Sequence, residues 1–451
     1  MKFIVSLFLF LFYKLIYFRF YKFIFLILFF CLKFHNTNFI KILFSKKRNI
    51  LALNSKRYRG ELQEIPKFKD FNLISFDEKY QSLIRKYFLS SNAVEQYLNP
   101  SSKKLDSEMK TLDCFMFRIL ILFNKIIKIN SVIIINYRYI DDYIWVKNFN
   151  SMNINIIMMY RECLIANERV KYEVLKRHEL FHKYPVDYII VHNNIASELF
   201  LKSKMISKNR IFSIGPLKMT DYLKKIKKIK SRTNNSKLIV FFMNDENISL
   251  FGKKEQKINE NYKYSYVYDI WNDKKEYFSQ IYEIVIKFAI KNPDVDVVFK
   301  AKDYKYNKKN ILEKLLIKYR KNYRLKKIKI TTKGNVQNLI IKSRLVTGGL
   351  QSSTLLESLI ANKPVLLPIF KSFKSTPLYQ DLFFKNDLHL FNIANSPHQF
   401  EKKLNNLFYD SKLHDVTVDR YNEKKKLFEK YFSSTEPSMH KDYENLFKKI
   451  V

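Results

Sequence analysis

Short apolar runs recur along most of the chain and alternate with amphipathic stretches. These runs are apolar on both faces and rich in Ile and Val. Strands of this kind, spaced by helices, indicate parallel sheets that are covered on both sides. The predicted strands are NILAL (49–53), FNLISF (71–76), SVIIIN (131–136), INIIMMY (154–160), DYIIVH (187–192), RIFSIG (210–215), LIVFFMND (238–245), DVVFKAK (296–302), KIKITT (327–332), RLVTG (344–348) and PVLLPIF (364–370).

The stretches between these strands predict helices, among them residues 167–184, 195–205 and 274–291. The charged segment KKIKKIKSRTNNSK (224–237) interrupts the alternation, which then restarts. We therefore predict an α/β fold of two Rossmann-like domains with parallel sheets. The predicted boundaries are a domain at 49–225, a linker at 226–236, a second domain at 237–415 and a helical tail at 416–451.

The first 48 residues follow a different pattern. Two apolar runs, 3–13 and 23–32, are separated by Lys14, Arg19 and Lys22. A membrane-spanning helix needs about 20 mostly apolar residues, so each run alone is too short. No small-residue cleavage site follows, which argues against a cleaved signal peptide. The pattern predicts a membrane-associating segment with its cations at anionic headgroups, and the alternative is that translation starts downstream.

The large positive net charge of the chain says little about its partner. The 451 residues carry a formal net charge of +40, which on its own favours a nucleic-acid partner. Lys, Ile, Asn, Phe and Tyr are abundant together, however, as AT-rich codons would produce, and the basic residues are spread along the chain. We therefore expect no specific nucleic acid, but an anionic partner such as membrane headgroups or a phosphorylated substrate.

The residue types that commonly bind metals are scattered along the sequence. The three cysteines lie far apart, and His178 and His182 share a helix turn without the flanking residues of a zinc motif. The sequence DVD (294–296) follows Asn-Pro and precedes a strand, which indicates a turn and not a metal site at a strand end. We expect no obligatory metal.

A glycine pair stands out because the whole chain has 6 glycines. Gly348 and Gly349 follow a predicted strand, and a helix is predicted from about Ser352. Glycine permits positive φ and close backbone approach, and a helix N-terminus favours anions, so this loop suits a phosphate. The alternative is an ordinary strand-to-helix turn, in which Thr354 and Glu357 form a capping box.

The segment TGGLQSSTLLESLIANKPVLLP (347–368) resembles the donor-binding segment of GT-B glycosyltransferases. In that fold two facing Rossmann-like domains close over a nucleotide sugar. The chain is similar to surface-carbohydrate (capsule and lipopolysaccharide) biosynthesis proteins, a group like the CDP-glycerol glycerophosphotransferases, the Kdo-type capsule transferases and the UDP-N-acetylglucosamine 2-epimerases. VDVVFKAKD (295–303) and RIFSIGPLKMTDYL (210–223) add to the resemblance, which covers roughly residues 50–410.

The resemblance implies a donor site in the C-terminal domain. Glu357 would hold the ribose hydroxyls, and Lys300 and Lys302 would offset phosphate charge. Two departures are visible: the epimerases have an acidic pair where this chain has Ser352 and Ser353, and AKD (301–303) replaces the His-Pro of the glycerophosphotransferases. The residues implied for the donor diphosphate are Gly348, Gly349, Gln351, Ser352, Ser353 and Thr354.

Sugar transfer to a hydroxyl needs a base near the acceptor. Glu162 is the first candidate because it follows the strand at 154–160, and Arg161 beside it could contact an anionic acceptor. Asp141 and Asp142 follow another strand and are second candidates. The alternative is that all three carboxylates are solvated loop residues.

Together these features predict a metal-independent glycosyltransferase with no cofactor besides the nucleotide-sugar substrate. Its acceptor would be a polysaccharide or lipid-linked sugar at the cytoplasmic face of the inner (cell) membrane, where the chain would be peripheral or N-terminally anchored. A 2-epimerase or a glycerophosphotransferase-like enzyme is one alternative. A basic, membrane-attached binding protein without catalysis is another.

Overall fold

The chain forms two compact units. The computed structural model describes residues 2–58, 60–98, 103–228, 236–243, 274–301, 310–348, 350, 352–410 and 417–451. Unit 1 comprises Met1–Cys163, Val174–Asp221 and Phe432–Val451, and unit 2 comprises Leu164–Glu173 and Tyr222–Tyr431. Most of the predicted linker, residues 229–235, lies outside the described residues, and the predicted domain limits stay a prediction.

Unit 1 is built on a seven-stranded sheet with the order β1-β3-β2-β4-β5-β6-β7. Every neighbouring pair is parallel except β1 with β3, which is antiparallel. The strands are β1 (Lys33–Phe34), β2 (Arg48–Ala52), β3 (Phe71–Ser75), β4 (Ile129–Ile134), β5 (Asn155–Met159), β6 (Tyr188–Val191) and β7 (Ile211–Ser213).

Helices alternate with these strands. Several begin at a polar residue whose side chain accepts a hydrogen bond from the first turn, as Asp77, Asn193 and Asn38 do. Three short 3-10 helices between 55 and 67 connect β2 to β3. The α-helices of the first 228 residues are α1 (Lys2–Tyr17), α2 (Tyr21–Phe30), α3 (Phe39–Phe44), α4 (Glu78–Phe88), α5 (Ala93–Leu98), α6 (Lys103–Ile127), α7 (Ile140–Ser151), α8 (Glu168–Leu180), α9 (Asn194–Lys202) and α10 (Met219–Lys228).

Unit 2 contains a six-stranded, fully parallel sheet with the order β10-β9-β8-β11-β12-β13. Its strands are β8 (Leu238–Phe242), β9 (Asp296–Lys300), β10 (Ile328–Thr331), β11 (Leu345–Gly348), β12 (Val365–Pro368) and β13 (Asn392–Ala394). The helices are α11 (Lys274–Lys291), α12 (Ile311–Arg320), α13 (Val336–Lys342), α14 (Thr354–Ile360), α15 (Lys371–Lys374), α16 (Pro377–Gln380), α17 (Pro397–Tyr409) and α18 (Val418–Phe432).

The predicted α/β class with two parallel sheets is confirmed, and each of the eleven predicted strands has a counterpart among the observed ones. The edge strands β1 and β13, of two and three residues, were not predicted. The N-terminal residues are part of unit 1, since β1 pairs with β3 and the helices before β1 belong to the same unit. None of the helices among the described residues is long and apolar enough to cross a membrane.

The last helix, α19 (Met439–Ile450), returns to unit 1 and completes its core. Phe447 lies 5.7 Å from Phe68 and 6.1 Å from Phe71, measured between ring centroids. The hydroxyl of Tyr443 donates a hydrogen bond of 2.8 Å to the carbonyl oxygen of Gly215. The C-terminal residues are therefore an integral part of the N-terminal sheet's packing.

Gly215 makes this close approach possible. It has a φ of +95°, and a Cβ there would lie 2.5 Å from the carbonyl oxygen of Phe432 and 3.0 Å from the sulfur of Met439. An L side chain therefore meets both backbone strain and a backbone clash at this position.

We expect Gly215→Ala to destabilise the protein far more than Gly60→Ala. Gly60 has a similar φ of +105°, but its added Cβ would make only an ordinary contact of 3.7 Å. Backbone strain alone costs about 1–2 kcal/mol, and the clash at Gly215 should add at least as much again. Denaturant midpoints of both variants measure the difference, and equal midpoints would contradict this account of the turn.

Candidate functional site

Three strands of the unit 2 sheet end level with one another at their carboxyl edge. Gly348 at the end of β11 pairs with Phe242 at the end of β8, and Phe242 pairs with Lys300 at the end of β9. Neighbouring strands lie about 4.8 Å apart, so roughly 10 Å separates the backbones of Gly348 and Lys300. Ligands of open parallel sheets bind beyond this edge, so the first glycine and the first lysine of the predicted donor site share it.

Gly348 has a structural reason to be glycine. Its φ is +79°, and an added Cβ would lie 2.3 Å from the carbonyl oxygen of Phe242 and 2.8 Å from the ring of Phe241. The close packing of β11 against β8 therefore requires glycine here whether or not a ligand binds. Three further predicted residues, Gly349, Gln351 and Lys302, lie outside the described residues.

The helix after the loop begins one residue earlier than a capping box with Thr354 as N-cap requires. Thr354 is the first helical residue, and Ser353 occupies the N-cap without a capping bond from its side chain. Instead the hydroxyl of Ser352 accepts a hydrogen bond of 3.3 Å from the backbone N–H of Thr354. Glu357, 1% exposed, accepts a hydrogen bond of 3.3 Å from the hydroxyl of Ser353, so the two predicted ligand residues contact each other.

Lys300 is a buried cation at the same edge. Its side chain is inward, with 7% of the residue exposed, and its ammonium donates to the carbonyl oxygens of Ala301 at 3.1 Å and Thr332 at 2.7 Å. Burial lowers the pKa of Lys300 because the charged form loses hydration. An anion bound at this edge would offset that loss and raise the pKa again.

At the carboxyl edge of the unit 1 sheet, the predicted base is accessible. Glu162 lies in the loop after β5 with 48% of its side chain exposed, and its carboxylate pairs with Arg138 at 3.1 Å. Arg138 follows β4, the neighbouring strand, so two adjacent strand ends supply this pair. A carboxylate that keeps one face in solvent can accept a proton from a bound hydroxyl.

Arginine is concentrated at this edge. Of the 82 basic residues only 16 are arginine, yet Arg57, Arg138 and Arg161 follow β2, β4 and β5. The guanidinium of Arg161 donates a hydrogen bond to the backbone carbonyl oxygen of Arg57. The guanidinium of Arg57 in turn pairs with the carboxylate of Glu78 at 3.1 Å. In a lysine-dominated chain this placement favours recognition of an anion that accepts two hydrogen bonds from one guanidinium, such as a carboxylate or a phosphate.

Of the two aspartates predicted as second candidates, Asp141 is half-buried and Asp142 is fully buried, both in unit 1. Asp141 pairs with Arg85 at 2.7 Å, and burial raises its pKa although this arginine opposes the shift. Asp142 is 0% exposed and accepts a hydrogen bond of 3.0 Å from Gln81. Burial raises the pKa of Asp142 to about 8, so the carboxyl is largely neutral at neutral pH. Its position favours a structural role.

The structure adds one carboxylate that the sequence analysis missed. Glu61 follows β2 in a 3-10 helix, is 1% exposed and accepts a hydrogen bond of 2.9 Å from the backbone N–H of Lys218. Burial raises the pKa of Glu61, while the nearby charges of Arg161 and Lys218 oppose the shift. No local motif marks Glu61, because its partner Lys218 follows β7, 157 residues further along the chain.

The residues considered for metal binding have other partners. His178 is buried, hydrogen-bonded to Tyr137 at 2.8 Å, and burial lowers its pKa to about 3. The aspartates of the DVD sequence flank the amino end of β9, where Asp294 pairs with Lys237. Within the described ranges, no group of His, Cys, Asp and Glu is arranged to hold a metal ion.

Solved structures resemble this chain in fold at low sequence identity. No family model matches the sequence, and no curated protein matches it. Among solved structures, a UDP-N-acetylglucosamine 2-epimerase aligns with a TM-score of 0.50 and 11% identity over 90% of this chain and 97% of its own. The UDP-GlcNAc 2-epimerase from Methanocaldococcus jannaschii gives a TM-score of 0.49 and 14% identity over 89% and 99%.

A third structure, an α,α-trehalose-phosphate synthase (UDP-forming) from Burkholderia vietnamiensis, gives a TM-score of 0.44 and 10% identity over 90% of this chain and all of its own. At such low identity the similarity shows the fold alone. The fold of this chain is the two-domain GT-B fold, in agreement with the resemblance found in the sequence.

The burial of Asp142 predicts a pH dependence of stability. Its pKa in the folded protein, about 8, lies above the ordinary value of 3.8. The group therefore stabilises the fold fully below pH 3.8, and that contribution is lost as the pH rises towards 8, by about 1.4 kcal/mol for each pH unit.

Asp142→Asn removes this titration and keeps an oxygen for Gln81. We expect the variant to match the native chain near pH 4 and to be clearly more stable at pH 8, as measured by thermal unfolding. Asp113→Asn, which removes a partly exposed carboxylate paired with Lys147, is the comparison variant at the same two pH values. If the stability of Asp142→Asn fell with rising pH as steeply as that of the native chain, a group other than Asp142 would be responsible for the pH dependence.

Proposed function

We propose that this protein is a glycosyltransferase that moves a sugar from a nucleotide-sugar donor to a polysaccharide or lipid-linked acceptor. Unit 2 would bind the donor and unit 1 would bind the acceptor. The observation that carries the proposal is the placement of Lys300, a desolvated cation, level with the start of the Gly348 loop at the carboxyl edge of a GT-B sheet.

The chemistry of this edge suits a diphosphate. An ammonium held between two carbonyl oxygens is already oriented and partly dehydrated, so an arriving phosphate forms a strong charge-assisted bond with it. The hydroxyls of Ser352, Ser353 and Thr354 lie at the loop's exit. Ser353 and Thr354 donate to Glu357 and Ser352 in this structure, and would turn to the phosphate oxygens when a donor binds. We propose Gly349, Gln351 and Lys302 as further donor ligands from the sequence, and Glu357 as the group that binds the ribose.

On the acceptor side we propose Glu162 as the base. Its carboxylate is more exposed than that of Asp141, Asp142 or Glu61, and a base must reach the acceptor hydroxyl. Arg138 holds the carboxylate in place, and Arg161 supplies a positive charge next to it in the chain. These groups suit an acceptor with its own anionic group.

A 2-epimerase is the second candidate, because an enzyme of that name shares the fold at a TM-score of 0.50. It would bind the same class of donor in unit 2. The 2-epimerases that the sequence resembles have an acidic pair at the positions of Ser352 and Ser353. The two serines of this chain therefore favour sugar transfer over epimerisation.

The first prediction concerns donor binding. Thermal unfolding of the full chain with UDP, CDP, GDP, UMP and CMP should show stabilisation by one nucleoside diphosphate, since a ligand at a hundredfold excess over Kd contributes about 2.7 kcal/mol. Lys300→Met should weaken binding of that diphosphate about tenfold to a hundredfold, and binding of the monophosphate less, because one charge-assisted bond is lost.

Lys363→Met is the matched control. Lys363 is also a desolvated lysine on a backbone carbonyl, with its pKa lowered to about 8 by burial, but it precedes β12 at the opposite edge of the same sheet. This variant should bind the nucleotide as the native chain does. Equal losses in both variants, or no response of the folded protein to any nucleotide, would overturn the donor site.

The second prediction concerns the base. Glu162→Gln should bind the donor normally and lower the rate of nucleotide release from the nucleotide sugar by about 10²–10⁴-fold, the usual worth of a general base. Glu179→Gln provides the control, because Glu179 is a comparably exposed carboxylate paired with Lys176 in unit 1. Undiminished turnover in Glu162→Gln would exclude the proposed role.

The same assay separates the two candidate reactions. Transfer releases free nucleotide, whereas epimerisation leaves the nucleotide sugar intact and inverts C2. Proton NMR of the sugar after incubation distinguishes these outcomes, and inversion without nucleotide release would favour the epimerase.

A further inference from the structure

Exposed apolar side chains are concentrated at the N-terminus. Of twenty large hydrophobic residues exposed in the described parts of the chain, ten lie between residues 10 and 44. Isolated exposed hydrophobic residues are normal on protein surfaces, whereas a contiguous group marks an interaction surface. The ten residues are Phe10, Leu11, Tyr17, Phe18, Phe20, Phe23, Leu26, Phe30, Ile40 and Phe44.

The helices α1 and α2 present two different faces. On one face Ile24, Phe25 and Leu28 of α2 are buried, and the ring of Phe25 lies 5.0 Å from that of Phe123 in α6. This face fixes the helices to unit 1. The opposite stripe of α2 consists of Phe23, Leu26 and Phe30, spaced to lie on one side of the helix, and all three are exposed.

Cations lie among these apolar side chains. The ammonium of Lys14 is 5.6 Å from the ring centroid of Phe10 and 5.9 Å from that of Tyr17, so charge and aromatic rings share one face of α1. Arg19 and Lys22 are exposed at the turn between the helices. The first 60 residues contain twelve basic residues and no acidic one.

We propose that this surface, the exposed stripes of α1 and α2 with Ile40 and Phe44 of α3, binds the interface of an anionic lipid bilayer. The helices lie along the surface, with aromatic and aliphatic side chains at the level of the acyl chains and the cations at the lipid phosphates. With 16 and 10 residues, α1 and α2 suit this orientation better than a spanning one. The proposal does not depend on the reaction that the enzyme catalyses.

The charge on the surface favours lipid over a second copy of the chain. A two-fold dimer would place the same cationic stripes against each other, and like charges at an apolar interface repel. Anionic headgroups supply the opposite charge, and their acyl chains accept the aromatic side chains. Surface and ligand then match in both polarity and charge.

The test is co-sedimentation of the full chain with vesicles of phosphatidylcholine alone and with 30% phosphatidylglycerol. We expect binding to the anionic vesicles that weakens in 0.5 M NaCl, because screening removes part of the attraction. Phe23→Ser/Leu26→Ser/Phe30→Ser should lower partitioning at least tenfold. Lys14→Glu/Arg19→Glu/Lys22→Glu should abolish the preference for anionic vesicles.

The matched control exchanges three exposed apolar residues of unit 2, Ile317→Ser/Tyr323→Ser/Val418→Ser, and should bind vesicles as the native chain does. Unchanged thermal unfolding of each variant shows that the fold is retained, as expected for exposed positions. The proposal would be overturned if the control variant lost as much vesicle binding as the N-terminal variants. It would also be overturned if either N-terminal variant bound vesicles as the native chain does. The proposal would also be overturned by a further outcome. In it the native protein does not bind the vesicles and forms a dimer without lipid, and the Phe23→Ser/Leu26→Ser/Phe30→Ser variant is a monomer.

Discussion

Parallel strand pairing determines where side chains can act together in this protein. From β2 to β7 in one unit and from β8 to β13 in the other, each pair of neighbours runs in the same direction, so the carboxyl ends of all these strands meet at one edge of their sheet. Residues far apart in sequence are brought together there: Arg138 pairs with Glu162, and roughly 10 Å separates the backbones of Lys300 and Gly348. The amino ends hold structural pairs instead, as Asp294 with Lys237 shows.

The N-terminal unit depends on both ends of the chain. Its core includes Tyr443, Phe447 and Ile450 from the last helix, packed with Phe68 and Phe71. Its edge strand and an additional helical layer come from the first 47 residues. A parallel sheet must be covered on both faces, and here part of that cover is supplied by distant segments.

Much of the fold could be predicted because strands buried on both faces leave a simple apolar pattern. Strands β1 and β13 escaped prediction since two or three residues are too few to show a period. The site was harder to predict. The loop at Gly348 could be found from the glycine pair, but the structure gives Gly348 a packing role against Phe242 that the sequence does not reveal.

Other site residues depend on contacts that no local pattern records. The buried carboxylate of Glu61 could be found only from its contact with the backbone of Lys218, and the ion pair of Arg138 with Glu162 only from the pairing of β4 with β5. Asp142 looked like an accessible loop carboxylate after a strand, yet the first turn of α7 is packed inward and buries it. Sequence order places residues near strand ends, and the packing of the following helix decides whether they reach solvent.

Burial distinguishes the few basic residues that matter at a site from the many that do not. An exposed lysine costs little to place and gains little from one ion pair, so most of the net charge of +40 says little about function. Lys300 has already lost hydration in the folded protein, and its lowered pKa records that cost. An anion arriving there meets a charge that no longer has to be dehydrated, and the free energy lost in folding is partly regained on binding. At the N-terminus the reverse holds: Lys14, Arg19 and Lys22 stay hydrated and act together, as suits a membrane surface whose charges are many and mobile.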